Sequence, residues 1–156
     1  PSVQKKFSND TSIIIYDAQQ EADQLKGQGN KAMAKKEYDK AVDYYSRSLR
    51  LSPAGPHSHV YFSNRAAALC YLGRYEEAEL DAERSLALNP KYGKAHARLG
   101  LSRYFLKDYY GAIDAYESAL SHDPHNAASK SYLEKAKEKI NKYRKSWNSG
   151  GAVGAE

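Results

Sequence analysis

The amino-acid sequence predicts an all-α protein, an α-solenoid of three helix-turn-helix repeats followed by a C-terminal capping helix. Two observations support this prediction. Three segments of similar sequence each end in a proline, at Pro53, Pro90 and Pro124, so that the intervals are 37 and 34 residues. Small residues also recur at the eighth, twentieth and twenty-seventh positions of each repeat. A period of this length is typical of arrays in which each unit is one pair of helices.

The small residues explain how the two helices of a repeat approach one another. Larger side chains at these positions would hold antiparallel helices apart. Each proline ends the second helix and restricts the residue before it, which sets the turn into the next repeat. The small residues are Gly29, Ala66 and Gly100 at the eighth position, Ala41, Ala78 and Ala112 at the twentieth, and Ser48, Ser85 and Ala119 at the twenty-seventh.

This pattern resembles the tetratricopeptide repeat, a 34-residue helix-turn-helix unit, over residues 22–124. One departure is Ala82, where Tyr45 and Tyr116 of the other repeats supply the large aromatic that is usual in the family. The predicted domain covers residues 16–147, with repeats at about 22–55, 59–92 and 93–126. The three-residue excess of the first interval lies in the turn AGPHSH, where an insertion costs little.

The N-terminal and C-terminal ends of the chain are predicted to differ in how far they are structurally ordered. Residues 1–15 form an N-terminal extension that is expected to be partly disordered, with Asp10 or Thr11 as the cap of the first helix. After Pro124, Asn126 is expected to cap a helix over about 127–147 that covers the open end of the array. Residues 148–156 are predicted to be a flexible tail. The apolar stripe of the capping helix consists of Leu133, Ala136, Ile140, Tyr143 and Trp147.

Composition narrows the classes of function. A single cysteine, Cys70, excludes an internal disulfide and favours a reducing compartment. No apolar run approaches the ~20 residues that cross a bilayer, so we expect a cytoplasmic protein without membrane insertion. The sequence begins at Pro1 rather than Met, which suggests a piece of a longer protein.

No catalytic site, metal site or cofactor is predicted. The histidine pairs of the turns, His57 with His59 and His122 with His125, lack cysteines or carboxylates at ligand spacing. The basic stretch KAKEKINKYRK also contains two glutamates and an apolar stripe that is needed for packing, so no nucleic-acid partner is expected. The sequence therefore predicts a binding protein rather than an enzyme.

Five polar residues are predicted to face one groove. In arrays of this kind the first helix of each repeat lines a concave surface, to which one stripe of each helix contributes. The stripes carry three cations and two amides, with no acidic residue expected beside them: Lys26, Asn30, Asn64, Lys94 and Arg98. Lysine and arginine form charge-assisted hydrogen bonds with carboxylates, and asparagine adds neutral donors. The cluster therefore favours a chain terminus that carries two carboxylates.

These five residues resemble the dicarboxylate clamp of co-chaperone tetratricopeptide domains, in the segments LKGQGN, FSNRAAA and YGKAHARLG. The resemblance implies binding to the C-terminal EEVD peptides of Hsp70 and Hsp90. The run KAHARLGLSRYFLKDYYGAIDAYESALSHDP is similar to the small glutamine-rich co-chaperones, which take part in the targeting of tail-anchored membrane proteins. The similarity to these co-chaperones also implies that the full-length protein is a homodimer, through a segment that is absent from these 156 residues.

A second set of groove residues is predicted to contact the part of the peptide that precedes its last residue. The set comprises Met33, Ala67, Tyr71, Tyr104 and Phe105. For Phe105, and for Cys70 as a further groove residue, packing between helices is an alternative of at least equal weight.

Two other functions remain open from the sequence. The domain is also compatible with the targeting arm of a larger enzyme, of the phosphatase or prolyl isomerase type. Alternatively, it is a scaffold that binds internal segments of its partners. Binding of a C-terminally amidated peptide would distinguish this scaffold from a carboxylate clamp.

Overall fold

The computed structural model describes residues 2–151 of the chain, with side chains described over residues 10–150. This part of the chain contains seven α-helices and no strand. The helices are α1 (Ser2–Ala34), α2 (Tyr38–Leu51), α3 (Ser58–Tyr71), α4 (Tyr75–Leu88), α5 (Gly93–Phe105), α6 (Tyr109–His122) and α7 (Ala127–Gly151). Each helix packs against the next, while α5 also contacts α3 and α7. The predicted all-α solenoid is confirmed.

The second helix of every repeat ends in the same way. Helices α2, α4 and α6 each end two residues before a proline of the repeat pattern. In the first two repeats, the small residue at the twenty-seventh position also joins the two helices by a hydrogen bond. Ser48 Oγ donates to the carbonyl of Ala22 at 2.8 Å, and Ser85 Oγ donates to that of His59 at 2.6 Å. The serines therefore permit close approach and stabilise it.

The glycines at the eighth position lie under buried tyrosine rings. A Cβ atom on Gly29 would lie 2.5 Å from Tyr45 Cε1, and one on Gly100 would lie 2.9 Å from the ring of Tyr116. The second repeat has no such ring, because Ala82 replaces the tyrosine and packs in the same cluster as the residue at the eighth position, an alanine. The second repeat thus lacks the tyrosine ring at position 82, and it carries alanine instead of glycine at position 66, which such a ring would cover.

A largely buried ion pair of the second repeat also contacts the first repeat. Arg65 on α3 donates from Nε to Asp81 Oδ2 at 2.6 Å and from Nη2 to Oδ1 at 2.8 Å. Its Nη1 donates to Ser46 Oγ on α2 at 3.1 Å. The carboxylate belongs to α4, so the three side chains hold α2, α3 and α4 together.

The ends of the array differ from the sequence prediction. Helix α1 begins at Ser2, so the prediction that Asp10 or Thr11 caps its start is wrong; the partial disorder of residues 1–15 stays a prediction. Residues 2–26 contain neither proline nor glycine, and nothing in this segment ends a helix. At the other end, α7 continues to Gly151 instead of ending near residue 147. Residues 152–156 of the predicted tail lie outside the described residues.

The cap of the last helix follows the prediction. Asn126 Oδ1 accepts a hydrogen bond from the backbone N–H of Ser129 at 2.8 Å, which confirms its role at the start of α7. Among the described residues, no helix is long and apolar enough to cross a membrane.

Candidate peptide-binding groove

The two amides of the predicted site lie in contact. Asn64 on α3 donates from Nδ2 to Asn30 Oδ1 on α1 at 3.3 Å. The buried Tyr45 hydroxyl donates to the same oxygen at 2.6 Å. Because these two donors occupy the oxygen of Asn30, its Nδ2 group is directed away from them and can donate to a ligand.

Arg98 brings a positive charge from α5 towards these amides. Burial raises the pKa of Tyr45 to about 12, and the positive charge of Arg98 opposes this shift. Burial likewise raises the pKa of Cys70 on α3 to about 11, again against the effect of Arg98. The charge of Arg98 on α5 therefore acts on side chains of both α2 and α3. Its buried Nε has no hydrogen-bond partner among the residues whose side chains are described.

Lys94 and Arg98 line one cavity of about 370 Å³ where α5, α6 and α7 meet. Lys94 is exposed and lies one helical turn before Arg98. The cavity is also lined by His122, Asp123 and Asn126, and none of these three residues was predicted from the sequence to belong to the site. Their proximity depends on the packing of α7 and has no counterpart in the repeat pattern.

Lys26 has an anionic partner on its own helix. Its Nζ lies 3.7 Å from Asp23 Oδ1, one turn earlier on α1. The expectation that no acidic residue accompanies the cluster is therefore wrong. Asp23 occupies the second position of the first repeat, which belongs to the stripe that faces the groove. The repeat register was therefore sufficient to predict a carboxylate near Lys26. Its partners Tyr61 and His57 could not be inferred in this way.

The second set of predicted residues is dispersed. Met33 packs against the cluster around Tyr45, and Ala67 is buried. Tyr71 stacks on Tyr38 with ring centroids 4.5 Å apart.

The two remaining residues of this set belong to an aromatic cluster. Phe105 stacks on Tyr75 at 4.8 Å, and Tyr104 contacts Tyr109 and Tyr132 edge to face. Tyr71 and Phe105 are the exposed members of this set, Met33 and Tyr104 are partly buried, and Ala67 is buried. Their contact with a ligand stays a prediction.

Comparison with known proteins identifies the repeat. Models of the tetratricopeptide repeat match residues 25–54, 60–92 and 93–126. The crystal structure of the Sgt2 tetratricopeptide domain from Aspergillus fumigatus is 44% identical, covers 80% of this chain and 82% of its own, and superimposes with a TM-score of 0.74. The chain belongs to the tetratricopeptide-repeat family. The sequence resemblance to this family is confirmed.

A longer relative contains a similar segment. The heat-shock protein cognate co-chaperone sgt12 of Aspergillus fumigatus is 47% identical over 122 residues, which are 77% of this chain. The chain spans 35% of the length of that relative. With the Sgt2 domain, this match confirms the predicted similarity to the small glutamine-rich co-chaperones.

A solved tetratricopeptide domain with a bound peptide has the same fold. The first tetratricopeptide domain of Spaghetti (RPAP3), bound to the HSP90 peptide SRMEEVD, is 32% identical. It covers 79% of this chain and 95% of its own, with a TM-score of 0.74.

Proposed function

We propose that the groove binds the free C-terminal carboxylate of an acidic peptide, and that the partners are the EEVD termini of Hsp90 and Hsp70. The chain would then be the chaperone-docking module of a cytoplasmic co-chaperone. The observation that supports this most is the position of Arg98. Its charge acts on Tyr45, whose hydroxyl is bonded to Asn30, and its buried Nε has no hydrogen-bond partner among the described side chains.

Each side chain has a distinct part in this proposal. Lys94 and Arg98 neutralise and hydrogen-bond carboxylate oxygens from the cavity side of the groove. Lys26, Asn30 and Asn64 donate from the opposite helices, and Tyr45 fixes the orientation of Asn30. A terminal aspartate presents two carboxylates, one of the main chain and one of the side chain, and so can engage both sides at once.

The expected affinity is modest. A hydrogen bond to a charged group contributes about 1.5–3 kcal/mol, but a short flexible peptide loses conformational entropy when it binds. We therefore expect a dissociation constant in the micromolar range. The HSP90 peptide bound to the Spaghetti domain supports an acidic C-terminal segment as the ligand.

Calorimetric titration with an N-acetylated, free-acid SRMEEVD peptide tests the proposal. Arg98→Ala should weaken binding by tenfold or more, since a loss of about 1.5–3 kcal/mol is expected when one charged donor is removed. Lys94→Ala should have a similar effect. Lys94 is exposed, and the buried Nε of Arg98 has no hydrogen-bond partner among the described side chains, so both variants should remain helical by circular dichroism.

Two exposed cations provide matched controls. Arg50→Ala on α2 and Lys130→Ala on α7 remove the same charges from exposed positions. Both should bind like the parent protein. Equal weakening in the control variants would mean that net charge, and not the groove, attracts the peptide.

A further inference from the structure

The apolar stripe of α7 is buried only in its first half. Leu133, Ala136 and Ile140 are at most 9% exposed, whereas Tyr143 and Trp147 are 72% and 73% exposed. These two aromatic residues continue the same stripe, because residues three and four apart lie on one face of a helix. The helix runs on for about 16 Å beyond Ile140. Within the described part of the chain, the second half of the stripe therefore faces solvent.

A third exposed aromatic residue turns this face into a cleft. Tyr110, at the start of α6, is 65% exposed and shares with Tyr143 the lining of two cavities of about 490 and 390 Å³. Cavities of this size enclose side chains of a protein ligand, whereas a membrane surface requires a continuous apolar face. We call this surface the aromatic-basic cleft, and its residues are Lys107, Tyr110, Lys139, Tyr143, Arg144 and Trp147.

The charge around the cleft is positive. Between Glu138 and Gly151 the sequence contains four basic residues and no acidic one. Asp108 also lines the cleft, but its carboxylate accepts a hydrogen bond from the backbone N–H of Gly111 at 3.0 Å. Two copies of such a surface repel one another, whereas an acidic segment is attracted to it. The charge therefore favours an acidic ligand over self-association.

We propose that the aromatic-basic cleft is a docking site for an acidic amphipathic helix of a partner protein. Apolar side chains of that helix fill the cavities beside Tyr110, Tyr143 and Trp147. Its carboxylates face Lys139 and Arg144, which are exposed. Helices that dock in this way present apolar residues at spacings of three and four, as α7 itself does towards α6.

The cleft is separate from the peptide-binding groove. His122, the last residue of α6, lines the cavity that contains Lys94 and Arg98. Tyr110 lies about 18 Å away along the same helix. A partner can therefore occupy the cleft while a carboxylate terminus occupies the groove, so this inference goes beyond the proposed function.

Trp147 provides a direct test, because it is the only tryptophan of the sequence and its fluorescence reports on the cleft. The probe is the peptide acetyl-EELAELLEELAE-amide, in which leucine has helical spacing and no C-terminal carboxylate is available to the groove. We expect a blue shift of the emission and a dissociation constant on the order of 100 µM. Binding should weaken as salt is added.

Two control peptides separate charge from apolar contact. Acetyl-KKLAKLLKKLAK-amide keeps the leucines and reverses the charge, and acetyl-EEAAEAAEEAAE-amide keeps the glutamates without leucine. Both should bind at least tenfold more weakly than the probe, since each lacks one of the two features that the cleft recognises.

Variants of exposed residues locate the site, with calorimetry as the measurement. Tyr143→Ala and Lys139→Glu should each weaken binding of the probe at least fivefold. Their matched controls are Tyr16→Ala on α1, where the tyrosine is 61% exposed, and Lys130→Glu near the start of α7. Both controls should bind the probe like the wild type, and so should Arg98→Ala.

Four results would overturn the inference. The first is an unchanged Trp147 emission with the probe, and the second is equal weakening in the control variants or in Arg98→Ala. The third is binding of phosphatidylserine vesicles in place of the probe, which would assign the cleft to a membrane. The fourth is dimerisation in sedimentation that Tyr143→Ala abolishes, which would assign it to a second copy. Failure of SRMEEVD to bind would overturn the proposed function alone.

Discussion

Gly29→Ala tests how the repeat packing supports the groove. The new methyl group would lie 2.5 Å from the ring of Tyr45, whereas carbon atoms in ordinary contact are about 3.5–4.0 Å apart. The ring must therefore move by about 1 Å. It has little room to do so, because Tyr45 is 1% exposed and its hydroxyl is bonded to Asn30.

The expected magnitude is a balance of two effects. Alanine in a helix is more favourable than glycine by up to about 1 kcal/mol. Overpacking of a well-packed core costs about 1–3 kcal/mol or more. Because the ring is enclosed and tethered, we expect Gly29→Ala to lower the free energy of unfolding by about 1–2 kcal/mol and to weaken peptide binding through the displaced Asn30.

Gly27→Ala is the matched control on the same helix. A Cβ atom at Gly27 would have no atom within 4 Å, so this variant should gain up to about 1 kcal/mol from helix propensity alone. Urea unfolding followed by circular dichroism measures both changes. If Gly29→Ala is as stable as Gly27→Ala, the close approach of α1 and α2 is not what requires a glycine.

Two further predictions concern the core. Asp81→Ala leaves Arg65 without its carboxylate in a largely buried site, and should lower the free energy of unfolding in urea by about 2–4 kcal/mol. The control Asp43→Ala removes the surface partner of Arg47, 3.9 Å away, and should change the free energy of unfolding by less than about 1 kcal/mol. Burial raises the pKa of Cys70 to about 11, so near pH 8 the folded protein should react slowly with a thiol-specific reagent and rapidly once it is unfolded; equal rates in both states would contradict the burial of this thiol.

Features that follow from local chemistry and from the repeat period could be predicted from the sequence. Pro53, Pro90 and Pro124 marked the ends of α2, α4 and α6, because proline cannot continue a helix. The glycine at position 29 indicated a close approach, although its cause, the ring of Tyr45, became evident only in the structure. The cap at Asn126 was predictable because capping uses a short side chain at a helix start.

Contacts between distant side chains were not predictable in the same way. Arg65 and Asp81 are 16 residues apart, and His57 and Asp23 are 34 residues apart. The repeat register tells which residues share a face, but the partner of a side chain depends on rotamers and on the packing of neighbouring helices. The extent of α1 was missed for another reason, since its polar first residues carry no signal that ends a helix.

Titration of one peptide in two chemical forms tests the central claim most directly. The N-acetylated SRMEEVD peptide is compared as a free acid and as a C-terminal amide, which differ only in the main-chain carboxylate. Since Lys94, Arg98 and the two asparagines are proposed to bind that carboxylate, the free acid should bind with micromolar affinity and the amide at least tenfold more weakly. Equal binding of the two forms would contradict a clamp on the chain terminus and favour recognition of an internal segment.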